Sequence, residues 1–357
     1  MKIAILNSLY ERGGAEMVVR QQLQGFLSQG QEVVLIVTET ETGLTARLRA
    51  ETEKNDPGGR VPYRLYALAS RFGRLADHSP CYRLSWQIVN LCNWRKYFQI
   101  KKILKAEKPD LVITHNLMGL GYLMPSLIKK LGYQHEHYLH DIQLLHPSGL
   151  MFYGQERIIT SFAARIYQKL TRCRFKSVKK VISPSKWLID LYLRHDFFKK
   201  AETIIRPNFP LVPKVRSKKE RAKGGAADFL FIGQLVGHKG AELLIQAWLT
   251  TRKPGHLHII GDGHDQEKIN ALIAGQDNIS LYPYSEAKSE ELLERCDCLV
   301  VPSLVYENSP SVIYRAKAAG LPVIASDLGG IPELLGAEDY LFQPGNQAEL
   351  SRIISEF

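Results

Sequence analysis

Short apolar segments alternate with amphipathic ones at the start of the chain. Ile3 to Leu6 is uninterrupted apolar sequence, residues 15–28 carry hydrophobic side chains at helical spacing, and Val33 to Val37 is apolar again. A strand that is apolar throughout must be buried on both faces, which is typical of parallel sheets covered by helices on both sides. The pattern therefore predicts a β–α–β unit.

The same alternation continues as far as Asn208. Helices are predicted over 82–107 and 161–174 and from Ser185 onwards. Strands are predicted at 111–114, 137–140, 180–183 and 203–205. Residues 209–228 then lose both periods. They contain two prolines, a run of Lys and Arg and a Gly-Gly pair, which indicates a linker.

A second series of strands and helices follows this linker. Strands are predicted at 229–232, 257–260, 279–282, 299–301 and 322–325, with a helix at 241–249. We therefore predict an α/β protein of two doubly wound parallel-sheet domains, residues 1–208 and 229–357, with ligands at the carboxyl ends of the strands. The chain ends inside a helix that begins near Gln347, which fits a second domain that is short by design and equally one that is truncated.

Cysteine usage argues against a metal site or a disulfide framework. The five cysteines are scattered and form no C-x-x-C pair, and Cys296 and Cys298 are interpreted as small apolar residues near a strand. A reducing cytosol fits this usage. No secretory segment is expected, because Met1-Lys2 leads directly into a strand, and the apolar stretch 111–128 is too often interrupted by polar residues and Gly to span a membrane.

The net charge of +11 is concentrated in the first part of the chain. Residues 1–205 contain 31 Lys and Arg against 17 Asp and Glu, whereas residues 206–357 contain 16 against 19. Such asymmetry indicates that the first part of the chain binds an anionic partner. The candidates are a membrane surface, a lipid phosphate, an acidic polymer and a nucleic acid.

The first candidate for chemistry is the segment Arg12-Gly13-Gly14-Ala15-Glu16, between the first strand and the first helix. Glycines let the backbone approach a ligand, and the helix N-terminus favours an anion. The segment is not G-x-G-x-x-G, so a dinucleotide site is not indicated. A tight turn that only serves packing is the alternative.

The second candidate is His140-Asp141, which follows a predicted strand. A histidine at the end of a strand can bond a sugar hydroxyl, and Asp141 can fix its tautomer or, alternatively, cap a turn.

The third candidate is the loop from Gly233 to Gly240, which joins a strand to a helix. Lys239 in this loop can meet a phosphate as a point charge. The alternative is an exposed Lys at the start of a helix.

The fourth candidate is the segment 302–316. Ser309 is predicted to be an N-cap and Pro310 the first helical residue, so the amides of Ser311 and Val312 could hold a diphosphate. Glu307, just before this turn, would repel phosphate but could accept hydrogen bonds from sugar hydroxyls. Because an acid beside an anion site is costly unless it is needed, this position favours a functional carboxylate.

In this combination and order, the four segments resemble the large retaining glycosyltransferase family 4. Pro302-Ser303, residues 319–323 and the motif Ser326-Asp327-Leu328-Gly329-Gly330-Ile331-Pro332-Glu333 belong to the same resemblance, which covers essentially the whole chain. It implies the GT-B architecture, with two Rossmann-like domains facing across a cleft. It also implies a nucleotide diphosphate sugar as donor, no metal or other cofactor, and retention of the anomeric configuration.

The resemblance also implies roles for single residues. The second domain would bind the donor and the first the acceptor. His140, Lys239 and Glu307 would be catalytic, contacting the sugar, the diphosphate and the sugar hydroxyls respectively. The donor-binding residues would be Gly13, Gly14, Gln234, Ser309, Ser311, Val312, Arg315 and Tyr282. For Glu333, a helix cap alone would suffice.

Two positions depart from the family pattern. The family commonly has a second glutamate where this chain has Arg315, and an arginine where it has Gln234. One hypothesis is that Arg315 replaces the lost charge and reaches the diphosphate. The alternative is a surface or interdomain cation with weak or altered donor binding.

The expected activity is transfer of a hexose-type sugar to a saccharide or lipid-linked acceptor. A weak or inactive relative that binds a nucleotide sugar, and a nucleotide-sugar epimerase on the same scaffold, are the alternatives. No nucleic-acid partner is expected, because Glu307 and Gly329-Gly330 would have no role in one.

The expected location is the cytoplasm, with peripheral binding to the inner face of the membrane. The basic residues between Arg165 and Lys180, together with Phe162, Tyr167 and Phe175, could rest on an anionic bilayer. A solvated helix face is the alternative.

Overall fold

Seven strands form the sheet of the first half of the chain. The computed structural model describes residues 1–8, 14–39, 63–69, 79–209, 226–251 and 255–357. The strands are β1 (Lys2–Asn7), β2 (Glu32–Glu39), β3 (Tyr63–Ala69), β4 (Leu111–Thr114), β5 (Gln134–Tyr138), β6 (Lys180–Ser183) and β7 (Glu202–Ile205). Their order is β3-β2-β1-β4-β5-β6-β7, and neighbouring strands are parallel. The helices are α1 (Gly14–Ser28), α2 (Pro80–Leu91), α3 (Trp94–Glu107), α4 (Met124–Leu131), α5 (Phe162–Phe175) and α6 (Lys186–Arg194).

Six parallel strands form the second sheet. They are β8 (Ala227–Ile232), β9 (Gly255–Ile260), β10 (Ile279–Tyr282), β11 (Cys298–Val301), β12 (Val323–Ser326) and β13 (Tyr340–Phe342), in the order β10-β9-β8-β11-β12-β13. The helices are α7 (Ala241–Leu249), α8 (Gln266–Ile273), α9 (Glu286–Arg295), α10 (Ser311–Ala318) and α11 (Gln347–Glu356). The predicted fold class, two doubly wound α/β domains, is confirmed.

Contacts along the chain divide it into two compact units. The first contains Met1–Gly149, Ile159–Pro184 and Leu188–Arg206, and the second contains Leu150–Ile158, Ser185–Trp187 and Pro207–Phe357. Two short segments from the first half of the sequence thus group with the second unit. Most of the predicted linker, residues 210–225, lies outside the described residues.

The apolar runs are buried as the pattern predicts. Ile3, Ile5 and Leu35 are completely buried in the first sheet, and so are Leu257 and Leu299 in the second. Because consecutive residues of a strand face opposite sides, a strand without polar positions requires cover on both faces. The helices supply it.

The prediction of one helix over 82–107 is wrong, because the chain breaks between α2 and α3. The side chain of Asn93 accepts a hydrogen bond from the N–H of Lys96 at 3.1 Å and caps α3. An amide that bonds the backbone locally favours a helix start over a helix interior.

Strand boundaries deviate where the strands are polar. β5 begins with Gln134-His135-Glu136 and ends at Tyr138, so the predicted strand 137–140 captured only its end. Two strands, β3 and β13, and two helices, α8 and α9, were not predicted.

Tyr167 and Phe175 of α5, expected on a membrane surface, are instead buried in the first unit, whereas Phe162 is exposed.

Within the described part of the chain, no helix has the length and apolar character that crossing a bilayer requires. Four cysteines there are free thiols. Cys296 and Cys298 are buried, as expected of small apolar residues, and Cys92 and Cys173 are exposed.

Gly240 allows the loop after β8 to pack against the loop after β11, and this contact can be tested. Its φ is +78°, and a Cβ atom there would overlap the carbonyl oxygen of Pro302. We expect Gly240→Ala to lower the free energy of unfolding of the second unit by more than about 2 kcal/mol, since a left-handed backbone costs about 1–2 kcal/mol before any clash. Denaturant unfolding of the full chain measures this effect.

Gly275→Ala is the matched control. Gly275 has a φ of +76°, but its Cβ position has no atom within 4 Å. Equal destabilisation by the two substitutions would contradict a packing role for Gly240.

Candidate functional site

Lys239 and Glu307 meet at the carboxyl end of the second sheet. The strand order reverses beside β8, so the connections that follow β8 and β11 lead away in opposite directions and leave a crevice, where ligands of such sheets bind. Lys239 ends a short 3-10 turn after β8, and Glu307 lies in the loop after β11. The Nζ atom of Lys239 is 2.5 Å from Oε1 of Glu307, which also accepts a hydrogen bond from Oγ of Ser303 at 3.0 Å.

The loops that carry this pair are held together through their backbones. The N–H of Leu304 donates to the carbonyl of His238 at 2.8 Å, and the N–H of Gly330 donates to the carbonyl of Glu307 at 2.8 Å. A Cβ atom at Gly329 or Gly330 would overlap the backbone of the Glu307 loop. The Gly-Gly pair therefore serves close approach of two loops.

The start of α10 differs from the prediction by one residue. Pro310 is the N-cap and Ser311 the first helical residue, whereas Ser309 and Pro310 were expected in these positions. The hydroxyl of Ser309 lies 2.7 Å from the hydroxyl of Tyr314, so its side chain bonds along the helix and does not cap it. With no side-chain cap at Pro310, the amides of Ser311 and Val312 in the first turn remain suited to an anion.

A segment from the first half of the sequence braces the Glu307 loop. Phe152 forms an antiparallel bridge with Val305, and the N–H of Tyr306 donates to the carbonyl of Met151 at 2.9 Å. The hydroxyl of Tyr306 donates to Glu156 at 2.9 Å. Sequence reasoning missed this brace, since no periodicity marks residues 150–158.

Glu333 caps a helix, as the simpler interpretation supposed. Its two carboxylate oxygens accept the N–H groups of Lys186 and Trp187, each at 2.6 Å, at the start of α6. Nearby, the hydroxyl of Ser185 donates to the side chain of Asn308 next to Glu307.

Arg315 is half-buried and paired with an acid. Its Nη2 atom lies 2.9 Å from Oε1 of Glu286, the first residue of α9. The other oxygen of Glu286 accepts the hydroxyl of Tyr284 at 2.6 Å. Sequence reasoning missed Glu286, because α9 was not predicted, although Ser285 is a helix-capping residue type that could have marked its start.

Two further predicted donor-binding residues lie at the same sheet edge. Gln234 follows β8 and is exposed. Tyr282 ends β10, and the ammonium of Lys288 lies 4.7 Å from the centre of its ring, which is a cation–π contact.

In the first unit, His140 lies just beyond β5 and contacts a second histidine. Its Nε2 atom is 2.8 Å from Nδ1 of His115, and Nε2 of His115 is 3.1 Å from Oε1 of Gln22. An amide oxygen can only accept, so Nε2 of His115 carries a hydrogen and its Nδ1 accepts the Nε2–H of His140. Nδ1 is therefore the acceptor nitrogen of the His140 ring. His115 follows β4 as His140 follows β5, a signal that the sequence analysis did not use.

Burial keeps these histidines neutral. It lowers the pKa of His140 to about 4, and burial with neighbouring histidines lowers the pKa of His115 well below its ordinary value. These two histidines thus offer hydrogen bonds without charge. Within the described ranges, no group of three or more His, Cys, Asp and Glu could hold a metal ion.

Burial also raises the pKa of two carboxyl groups in the first unit, that of Asp141 to about 6 and that of Glu16 to about 7. Oδ1 of Asp141 accepts the N–H of Gln143 at 2.8 Å, so this side chain caps a turn. Gly14 begins α1, whereas Gly13 lies outside the described residues.

Two family models match the chain. The model described as Glycosyltransferase Family 4 matches residues 12–209, and that described as Glycosyl transferases group 1 matches residues 226–357. The first alone spans more than half of the chain.

Known proteins are similar to this chain over most of its length. A protein named "Uncharacterized 42.6 kDa protein in cps region" from Klebsiella pneumoniae is 25% identical over 343 residues, which is 94% of this chain and 87% of that protein. The fold is shared with Anabaena Alr3699/HepE in complex with UDP and glucose, at a TM-score of 0.68 and 17% identity over 100% of this chain and 89% of that one. It is also shared with the lipopolysaccharide outer core galactosyltransferase WaaB in its apo form, at a TM-score of 0.64 and 17% identity over 100% and 90%.

The sequence motifs, the two parallel sheets and the family models agree, and the chain is accordingly a GT-B glycosyltransferase that belongs to glycosyltransferase family 4.

Proposed function

We propose that the chain transfers a hexose-type sugar from a nucleotide diphosphate sugar to a saccharide or lipid-linked acceptor, with retention of configuration and without a metal. The observation that carries the proposal is the Lys239–Glu307 pair at the reversal point of the second sheet, beside the first turn of α10. A cation, amide dipoles and a carboxylate are together there.

The pair suits a donor that is both anionic and rich in hydroxyls. Negative charge grows on the diphosphate as the sugar leaves, and Lys239 and the α10 amides would stabilise it. Glu307 would accept bonds from the sugar hydroxyls. The short contact between the two side chains keeps each charge balanced until a donor supplies phosphate oxygens to one and hydroxyls to the other. Lys239 thereby takes the role that a divalent cation has in other transferases.

For the first unit, we propose contact between His140 and the transferred sugar. A neutral imidazole whose Nδ1 accepts is suited to a sugar hydroxyl, and the bond to His115 fixes this tautomer.

Similarity to relatives supports the substrate class. The Anabaena structure contains UDP and glucose, and the WaaB structure is that of a lipopolysaccharide galactosyltransferase. Hexose transfer in the synthesis of cell-envelope polysaccharide is therefore the proposed role. Its location would be the cytoplasm, with a lipid-linked acceptor reached at the inner face of the membrane, which the basic first half of the chain supports.

Substitution of Lys239 and of Glu307 should separate phosphate from sugar binding. We expect Lys239→Ala to weaken UDP binding about tenfold or more and to lower kcat about 10²- to 10³-fold, the range for loss of one group that stabilises transition-state charge. Glu307→Gln should leave UDP binding unchanged or tighter, because a negative charge is removed, while it lowers kcat with UDP-glucose. Calorimetric titration and a transfer assay containing EDTA measure both.

Lys268→Ala is the control, since Lys268 is an exposed lysine that pairs with Glu242 elsewhere on the second unit. Unchanged UDP affinity in Lys239→Ala would overturn the assignment of Lys239 to the diphosphate.

His115 should affect turnover and not nucleotide binding. We expect His115→Leu to lower kcat about 10- to 100-fold, by analogy with the loss of groups that orient metal-bound histidines. UDP, which lacks the sugar, should bind as before. His115→Asn, whose amide oxygen can accept from His140, should recover part of the activity. Equal loss in both variants, with unchanged melting temperature, would contradict the tautomer argument.

Arg315 is proposed to act through Glu286. One possibility is that Arg315 orients the carboxylate of Glu286 and that this carboxylate contacts the nucleoside. In that case, Arg315→Ala and Glu286→Gln should weaken binding of UMP and UDP alike. If Arg315 instead contacts the diphosphate, Arg315→Ala should weaken UDP more than UMP, and Glu286→Gln should not weaken either. Titrations of both nucleotides against both variants decide between these roles.

A further inference from the structure

The outer surface of α5 carries large apolar side chains. Phe162, Ile166 and Leu170 lie one turn apart and are 81%, 49% and 47% exposed. Residues four apart share a helix face, so the three form one stripe. The opposite side of α5, with Tyr167 and Phe175, is packed in the first unit. An apolar stripe left exposed on a helix that already has a buried face marks an interaction surface.

The stripe leads to a second group of exposed apolar residues. Near the end of α5, the guanidinium of Arg174 lies 3.0 Å from Sγ of Cys92, at the break between α2 and α3. Beside this break, Ile88 is 61% exposed, Trp94 58% and Phe98 60%. The apolar ridge, as we call the two groups together, consists of Ile88, Trp94, Phe98, Phe162, Ile166 and Leu170.

The helices that carry most of the apolar ridge are rich in cations. Helix α4 packs against both α3 and α5, so the three helices form one layer. Together they carry eleven Lys and Arg and a single acid, Glu107. Glu107 is buried and paired with Lys2 at 2.7 Å, so it does not offset the charge of the surface. Exposed Arg165 and Lys169 lie directly beside the stripe of α5.

We propose that the apolar ridge and its flanking cations dock the protein on an anionic lipid bilayer, with the helices in the plane of the membrane. Aromatic and aliphatic side chains would enter the boundary between headgroups and acyl chains, while Lys and Arg reach the lipid phosphates. A nucleic acid fits less well, because the aliphatic half of the ridge, Ile88, Ile166 and Leu170, cannot stack on bases. The inference deepens the proposed function and rests on it only for the location of the acceptor.

Vesicle flotation tests the surface without donor or acceptor. The full chain should float with vesicles of phosphatidylcholine and phosphatidylglycerol at low ionic strength, and not with phosphatidylcholine alone; added salt should weaken the binding. Phe162→Ser/Ile166→Ser/Leu170→Ser should reduce the bound fraction about tenfold or more, because three apolar groups no longer enter the lipid. Brominated phosphatidylglycerol should quench the fluorescence of Trp94, and Trp94→Phe should remove this quenching.

The matched control is Leu249→Ser/Tyr340→Ser/Leu341→Ser, which removes side chains that are 43%, 44% and 40% exposed on the second unit. It should float like the unchanged chain. Failure to float with anionic vesicles, or equal flotation of the two triple variants, would overturn the proposal. Both variants should bind UDP normally, so a chain that floats but binds no nucleotide sugar refutes the donor proposal and not the docking surface.

Discussion

Backbone contact between the loops that follow β8, β11 and β12 is the constraint on which the arrangement of the second unit depends. Gly240 allows the first of these loops to touch Pro302 in the second, and Gly329-Gly330 allows the third to touch the Glu307 loop. A side chain at any of these positions would force the loops apart. Lys239 and Glu307 are therefore brought together by backbone geometry, and their charges do not have to hold the fold together. Each of these two side chains can therefore leave the other and bind a ligand at little cost to stability.

The two units differ in whether their functional groups are charged. In the second unit, a cation and a carboxylate lie in contact at the sheet edge and can exchange partners with an anion. In the first, burial keeps His115 and His140 uncharged and raises the pKa of Glu16 to about 7 and that of Asp141 to about 6. Neutral donors and acceptors recognise hydroxyl groups without attracting counterions. This difference in charge gives the proposed assignment of donor phosphate and sugar contacts a physical basis that motif order alone does not supply.

The apolar runs predicted the two parallel sheets, because burial on both faces leaves no polar position within runs such as Ile3 to Leu6 of β1 and Cys298–Val301 of β11. The same logic failed for β5, whose Gln134-His135-Glu136 start is polar, and for the helix break at Asn93, which depends on one side-chain cap. Among the predicted site residues, Lys239 and Glu307 were chosen from their positions after strands, and the structure brings the two side chains into contact. The ion pair of Arg315 with Glu286 and the brace at residues 150–158 join segments more than twenty and more than a hundred residues apart, respectively. No local pattern encodes such pairings.

Many of the excess cations of the first half of the chain lie in the helix layer formed by α3, α4 and α5. Clustered like charges repel one another and destabilise a compact domain, so a layer with a large excess of cations carries a cost in stability. In the layer of α3, α4 and α5, the one acid is buried against Lys2, and the apolar ridge is left exposed among the cations. A purely electrostatic partner would explain the cations but not Phe162 or Trp94, and a purely apolar partner would explain the ridge but not Arg165 or Lys169. An anionic bilayer removes both costs at once, since its headgroups neutralise the cations while its acyl region takes up the apolar side chains.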